Sequence, residues 1–436
     1  MFNNYEQPIT PIIGKKLIKR IGTNFGWSIL SEVGGKGFLY LATVYLARVL
    51  GTANFGLFTF AQTITSYCWL GVDLGVNMYG AREIAKNKMN APAVINPLLT
   101  LRILSGIILF SIYSLSIYFL FQGDPVKRVI FAGFAFYLLT RSLNLDWVMR
   151  GFEKFNFIAF GNFATFFAIL FFLFISVRQA SDVTNAPFIW SFSYLLGDIS
   201  LLIIYYKRMH LRYRPTFNLK IIWLHLKESI HFTVGNGLLF LYQYLPILFL
   251  GFLVSSHDVG IFSAPYNLVL SLTIVATLLA VALYPTLSEL FYYRRPQFFR
   301  MSKYFKIISC GIGFFLGGGG VLISNWLIPL LYGPSYVGSI AIFRIIIWFA
   351  ALMTIRVSFS IPIAVAGLQK YYALASLFGV IFFTMFFFIL SYLLKINMLY
   401  AACYSLIITE IGVICILSII WCNLFNYIVT NNLSMK

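Results

Sequence analysis

The sequence predicts an all-α polytopic membrane protein with about twelve transmembrane helices, in two six-helix lobes related by an axis along the membrane normal. Three observations predict it. Hydrophobic residues make up 60% of the 436-residue chain and charged ones only 10%, with a mean hydropathy of +0.86. A water-soluble domain cannot hide that much apolar surface. Apolar runs of about 20 residues recur between Gly, Pro or charged breaks. Short motifs also repeat between the two halves of the chain.

Residues 1–24 form a basic tail with no short apolar core and cleavage site, so it is expected to be retained as a cytoplasmic tail. The first span, near 25–47, carries Glu32 and Lys36 close to its middle, where each charge costs roughly 2.5–3.5 kcal/mol. At i and i+4, glutamate first, the two can neutralise each other. Alternatively this face lines a wet cavity and Lys36 meets an anionic passenger, with Gly34, Gly35 and Gly37 allowing close approach. Spans near 56–80, 97–121, 129–149, 157–177 and 187–206 complete an N-lobe over 25–206.

The connector 207–229 is the longest and most basic loop. Within it Leu219, Ile222, Trp223 and Leu226 recur at helical spacing, which predicts an interfacial helix on an anionic leaflet. Spans near 230–254, 261–287, 304–328, 340–366, 371–394 and 398–425 form a C-lobe over 230–425, followed by a cytoplasmic tail, 426–436. The repeat links NFGLFT at 54–59 to DVGIFS at 258–263, and GFEKF at 151–155 to GLQKY at 367–371, with offsets of 204 and 216. Lobes repeated in the same orientation place a transport path between them.

Of the 32 Lys and Arg residues, 21 fall in one set of alternate loops and 5 in the other. The basic set marks the cytoplasmic side and puts both termini there. This topology also accounts for the net charge of +19, so no nucleic-acid partner is expected. Cys68, Cys310, Cys403, Cys415 and Cys422 lie in or beside apolar segments without a CxxC pair, which supports neither a disulfide framework nor a zinc site. His210, His225, His231 and His257 lack HExxH spacing, and no Walker loop or GxSxG elbow is present. No enzyme, metal or cofactor is expected.

Arg141 and Arg356 fall mid-span, and by the second offset Arg141 falls beside the position of Arg356. Facing each other across a shared cavity, they would grip a phosphate or pyrophosphate, because guanidinium donates two parallel hydrogen bonds and stays charged when desolvated. The competing reading pairs Arg141 with Asp146 and lets Arg356 snorkel or cap a backbone break. Arg102, Lys306 and Arg344 lie near span ends, where snorkelling accounts for them. Glu32, Asp73, Asp146, Asp198 and Glu410 are the carboxylates at depth, for pairing or for coupling to H+ or Na+. Aromatics are 19% of the chain, and a minority on cavity faces would suit stacking against sugars.

The stretches YLARVLGTANFGLFTFAQTITSYCWLGVDLGVNMYGAREIAKNK at 45–88, LDWVMRGFEKF at 145–155, LFLGFLVSSHDVGIFSAPYNL at 248–268 and LYPTLSEL at 283–290 carry a resemblance. They resemble the polysaccharide-exporting flippases of O-antigen translocase type, within the superfamily shared with lipid II flippases and multidrug and toxin extrusion proteins. The resemblance implies a bacterial inner-membrane transporter that moves an undecaprenyl-pyrophosphate-linked oligosaccharide from the cytoplasmic to the periplasmic leaflet by alternating access. It implies that cavity cations, here Lys36, Arg141 and Arg356, bind the headgroup. Its implied partners are the lipid-linked glycan, the bilayer, and polymerase and chain-length proteins of the same pathway. An ion-coupled multidrug exporter is the alternative, and a membrane polymerase or glycosyltransferase a more distant one, disfavoured by the short outer loops.

Overall fold

Lipid offers no hydrogen-bond partners, so a spanning chain must satisfy its own backbone, and a helix does so within one segment. The computed structural model describes the backbone from Lys15 to Leu433; side chains at 15–25, 27–33, 36, 234–236, 369–370, 372–373 and 425–433 lie outside the described residues. All regular structure among the described residues is helical. The first lobe holds α1 (Lys15–Asp73), α2 (Val76–Lys86), α3 (Ala91–Leu120), α4 (Pro125–Ser142), α5 (Asp146–Gly151), α6 (Phe155–Ser176) and α7 (Ala186–Lys207). The second holds α8 (Leu219–Leu253), α9 (Ser256–Leu272), α10 (Ile274–Tyr293), α11 (Arg295–Tyr332), α12 (Ser339–Val365), α13 (Gln369–Phe388) and α14 (Met398–Leu433).

By length and composition, 9 helical stretches among the described residues can cross a membrane, or 10 if the arms Leu219–Thr233 and Gly237–Leu253, which meet at 57°, make one span. Two more crossings appear in the geometry. Gly51 (φ 71, ψ 175) divides the 59 residues of α1 into two arms. The 18-residue α4 packs inside the bundle against α3 and α7 although it carries Lys127, Arg128 and Arg141. With these, the helices account for the spans the sequence predicts. Contacts join several of the loops rich in Lys and Arg, Lys88 to Glu153 at 2.9 Å and Arg82 over Phe232 at 4.9 Å, and the end they mark is called the basic end below.

Within each lobe the helices pack mainly on one another, and the lobes meet chiefly where α1 crosses α9. That crossing is where the sequence repeat becomes physical. A Cβ on Gly56 would overlap the Ser256 carbonyl oxygen, and one on Gly260 would overlap that of Thr52. Gly56 and Gly260 are related by the offset of 204, and so are Thr52 and Ser256. NFGLFT and DVGIFS thus pack reciprocally on a pseudo-two-fold axis, each lending the other the glycine that lets two backbones touch. One apolar core runs through the contact, with Leu46, Phe55 and Phe58 on one side and Phe262, Tyr266 and Phe343 on the other.

Two expected spans are broken. Leu74 (φ 46) and Gly75 (φ 77) separate α1 from α2, and residues 143–145 separate α4 from α5. Gly75 is required at its break, since a Cβ there would strike the Ser229 carbonyl oxygen in the other lobe. The segment 219–229, expected as an interfacial helix inside the connector, is helical but continuous with the seventh span as the first arm of α8. Ile222 buries itself in the N-lobe cluster around Trp147 and Tyr205, while Leu219 and Trp223 stay exposed.

Candidate functional site

Between the lobes lies a cavity of about 310 Å³. Both arms of α1, with α4, α7, α8 and α9, line it. Rings of Tyr40, Trp69, Tyr137, Trp190, Tyr194 and Tyr244 stand in its wall, and Gln62, Thr65, Ser66, Asn267 and Ser271 supply hydroxyls and amides. No Asp, Glu, Lys, Arg or His is among its described lining residues. The indole nitrogen of Trp69 is buried with no hydrogen-bond partner, a donor left over at the cavity wall.

Toward the end opposite the basic one, hydrogen bonds join the lobes. The Tyr40 and Tyr332 hydroxyls are 3.1 Å apart, and Tyr332 donates to the Ala264 carbonyl at 2.8 Å. Tyr336 donates to Ala47 O at 3.0 Å, and Arg48 to Leu330 O at 2.6 Å. Thr52 Oγ1 and His257 Nδ1 lie 2.6 Å apart beside the glycine crossing. At the basic end Tyr79 of α2 meets His225 of α8 at 3.0 Å, and Arg82 stacks over Phe232 at 4.9 Å.

Behind the aromatic wall, on its basic-end side, sits a layer of charge. Trp69 precedes Asp73 by four residues, Tyr137 precedes Arg141, and Tyr194 precedes Asp198. Each charge therefore lies one helical turn, about 6 Å, beyond a cavity-lining ring. Arg141 Nη1 donates to both Asp198 oxygens, at 2.9 and 3.2 Å, and the guanidinium lies 5.0 Å over the Tyr194 ring. Asn144 donates to Asp198 Oδ1 at 2.7 Å. Fully buried Arg102 of α3 donates to the carbonyls of Asn144 and Arg141 at the α4 break, both at 3.0 Å. Arg102 also approaches Asp73 to 3.8 Å. It supplies acceptor carbonyls with partners that lipid cannot give. Asp146, at the head of α5, is close enough to act electrostatically on Arg102, Arg141 and Asp198, so two cations face three carboxylates and the layer carries no excess of positive charge.

The C-lobe repeats the arrangement. Arg356 Nε of α12 lies 3.1 Å from Glu410 Oε1 of α14, and Tyr242 donates to Glu410 Oε2 at 3.2 Å. Asp198 and Glu410 are each the thirteenth residue of their helices. This pair is sealed, with side chains 4% and 0% exposed, against 14% for Arg141.

The expectation that Arg141 and Arg356 face each other across one cavity is therefore corrected. A guanidinium taken out of water without a counter-charge is too costly, so each closes on a carboxylate in its own lobe, and Arg356 does not reach the cavity. Arg141 takes Asp198; Asp146 instead heads α5 and makes no hydrogen bond to it. The side chains of Lys36 and Glu32 lie outside the described residues. Arg102 was missed because its place near a span end suggested snorkelling. The aromatic residue four positions before each charge, on three helices, was a readable signal. Among the described residues no group of three or more His, Cys, Asp or Glu side chains is placed to hold a metal.

This architecture defines a class, a multi-pass membrane protein built as two helical lobes around a central cavity. It is similar to a MATE family multidrug resistance transporter of the MOP superfamily in its inward-facing conformation, with a TM-score of 0.68 at 13% identity over 89% of this chain and 95% of that one. It is also similar to the lipid II flippase MurJ in an inward closed conformation, with a TM-score of 0.66 at 13% identity over 90% of this chain and 86% of that one. These likenesses establish the fold. A family profile described as "Polysaccharide biosynthesis protein" matches residues 21–291, and the chain belongs to that family. Two relatives share the name "Putative O-antigen transporter". One, from Escherichia coli (strain K12), is 26% identical over 73% of this chain and 77% of its own length. The other, from Shigella dysenteriae, is 22% identical over 71% and 77%.

Proposed function

We propose that the protein is a flippase carrying an undecaprenyl-pyrophosphate-linked oligosaccharide, an O-antigen or similar repeat unit, from the cytoplasmic to the periplasmic leaflet by alternating access. The observation that carries this reading is the inter-lobe cavity. Ring faces with hydroxyls and amides at their edges suit sugars, whose C–H faces stack and whose hydroxyls need hydrogen-bond partners. A volume of about 310 Å³ suits one or two sugar units at a time. A pyrophosphate and several sugars cannot enter hydrocarbon unaided, so such a lined path between lobes answers the physical problem while the polyprenyl tail stays in lipid. The family membership and the name of the two relatives support the same substrate class.

In this reading the basic end faces the cytoplasm of a bacterial inner membrane, and both termini lie there. Arg141 is the headgroup cation, one turn from the sugar-binding wall. The coupling ion is H+ or Na+ and acts at Asp198, because neutralising that carboxylate frees the guanidinium above it. Lys36 precedes Tyr40 and Thr43 by one and two helical turns, a spacing that shares a face, and stays a second headgroup candidate. The polymerase and chain-length proteins of the pathway are the expected partners.

An ion-coupled multidrug exporter is the second reading, favoured by the aromatic wall, which also suits flat hydrophobic drugs. The absence of a carboxylate among the described lining residues disfavours cationic ones. Proteoliposomes decide between the two. With a lipid-linked oligosaccharide supplied in one leaflet and a membrane-impermeant glycosidase outside, the flippase reading expects protein-dependent loss of glycan. Glycan exposure no faster than in protein-free vesicles, together with ion-driven expulsion of a cationic dye, would establish the exporter.

A further inference from the structure

Lys306 of α11 is a cation for which the pairing scheme above has no place. The offset of 204 relates Pro92 to Pro296 near the heads of α3 and α11, and makes Arg102 and Lys306 each the twelfth residue of its helix. Arg102 has Asp73 beside it. The residue corresponding to Asp73 is Thr277, which is neutral. In place of a carboxylate, Lys306 has two rings: Nζ lies 4.1 Å from the Trp421 centroid and 4.5 Å from that of Phe359. The side chain is half-buried and turned inward, not snorkelling. No carboxylate or carbonyl accepts from Nζ among the described residues.

Two ring faces hold an ammonium without satisfying its N–H donors. At 38 residues, α11 is about 57 Å long, against a hydrocarbon thickness of about 30 Å. Its first turns, with Arg295, Arg300 and Lys303, therefore stand clear at the basic end. Lys306, about 17 Å from the helix start, lies close to the hydrocarbon edge, where lipid phosphates reside.

We propose that Lys306, clamped between Trp421 and Phe359, is a docking site for a lipid-borne phosphate at the basic end of the C-lobe. The phosphate comes from the polyprenyl-linked substrate or from a bilayer phospholipid; the first source rests on the flippase reading above. The aromatic clamp fixes the amine, and the unfilled donors take the phosphate oxygens.

The test uses the purified full chain with farnesyl pyrophosphate, short-chain phosphatidylglycerol and farnesol, read by native mass spectrometry. Lys306→Gln is expected to weaken phosphate-bearing ligands about tenfold, Lys306→Arg to retain most of the affinity, and neither to change farnesol. A loss confined to farnesyl pyrophosphate assigns the site to substrate, and a loss for both phosphates to headgroups in general; each supports the site. Equal binding by wild type and Lys306→Gln overturns it. Should Lys306→Gln not fold, amine labelling of the wild type decides the question without it. Farnesyl pyrophosphate or phosphatidylglycerol must protect Lys306 where farnesol does not, and no protection overturns the site. The proteoliposome glycan assay stands apart from these measurements, so the site can fail while the flippase reading survives.

Discussion

Arg141 and Arg356 are two arginines in the same relation to a carboxylate, yet Arg141 is the less sealed and lies one turn from a cavity-lining ring. Removing either alone leaves a buried acid unpaired, which costs about 3–5 kcal/mol and confounds stability with function. Replacing each pair whole separates the two. Arg356→Met with Glu410→Leu is expected to leave thermal stability within about 1–2 kcal/mol of wild type and to keep transport. Arg141→Met with Asp198→Leu should also fold, but export no glycan when surface polysaccharide is stained. Normal polysaccharide from the second variant would take Arg141 out of the mechanism. The sequence shows that both arginines sit at depth and that both lobes carry one. It hides their partners, because the carboxylate for Arg141 lies 57 positions away on α7, where no local spacing points. Asp146, the near one in sequence, heads α5 and acts on Arg141 only at longer range, without a hydrogen bond.

Among the elements, the crossing of α1 and α9 does most to hold the lobes together, and it rests on two glycines. Gly260→Val would drive a branched side chain into the Thr52 carbonyl. Overpacking of this kind costs typically 1–3 kcal/mol, and the expected result is a lower melting temperature and reduced accumulation in the membrane. Gly318→Ala is the control, since nothing lies within 4 Å of a Cβ there and a helical Gly→Ala change is neutral or slightly stabilising. Equal melting temperatures for Gly260→Val and wild type would show that the crossing is looser than the contact implies. The all-helical class and the repeat were legible here because apolar length and motif offset are local or strictly periodic quantities. The breaks after Asp73 and Ser142 were not legible. A broken span is as apolar as a straight one, and the groups that make it tolerable, Arg102 above all, come from another helix.

For the whole molecule, alternating access requires that contacts between the lobes be exchanged, and the end opposite the basic one carries a row of them. The Tyr332, Tyr336, Arg48 and Thr52–His257 bonds all bridge the lobes, so opening toward that end must break them together. Each neutral bond contributes only about 0.5–1.5 kcal/mol net, which suits a latch that a bound substrate or ion can release. Thr52 Oγ1 and His257 Nδ1 lie 2.6 Å apart, near enough for cysteines at the two positions to be oxidised or bridged by a short thiol reagent. Thr52→Cys with His257→Cys, carried in a chain whose five native cysteines are replaced, is expected to transport when reduced. Crosslinking should stop transport, and reduction should restore it. Each single-cysteine variant should transport under both conditions. Undiminished glycan export by the crosslinked protein would mean that the lobes never part at this end. A neutral, ring-lined cavity would then need another exit, and the rocking mechanism would fail however well the cavity suits a sugar.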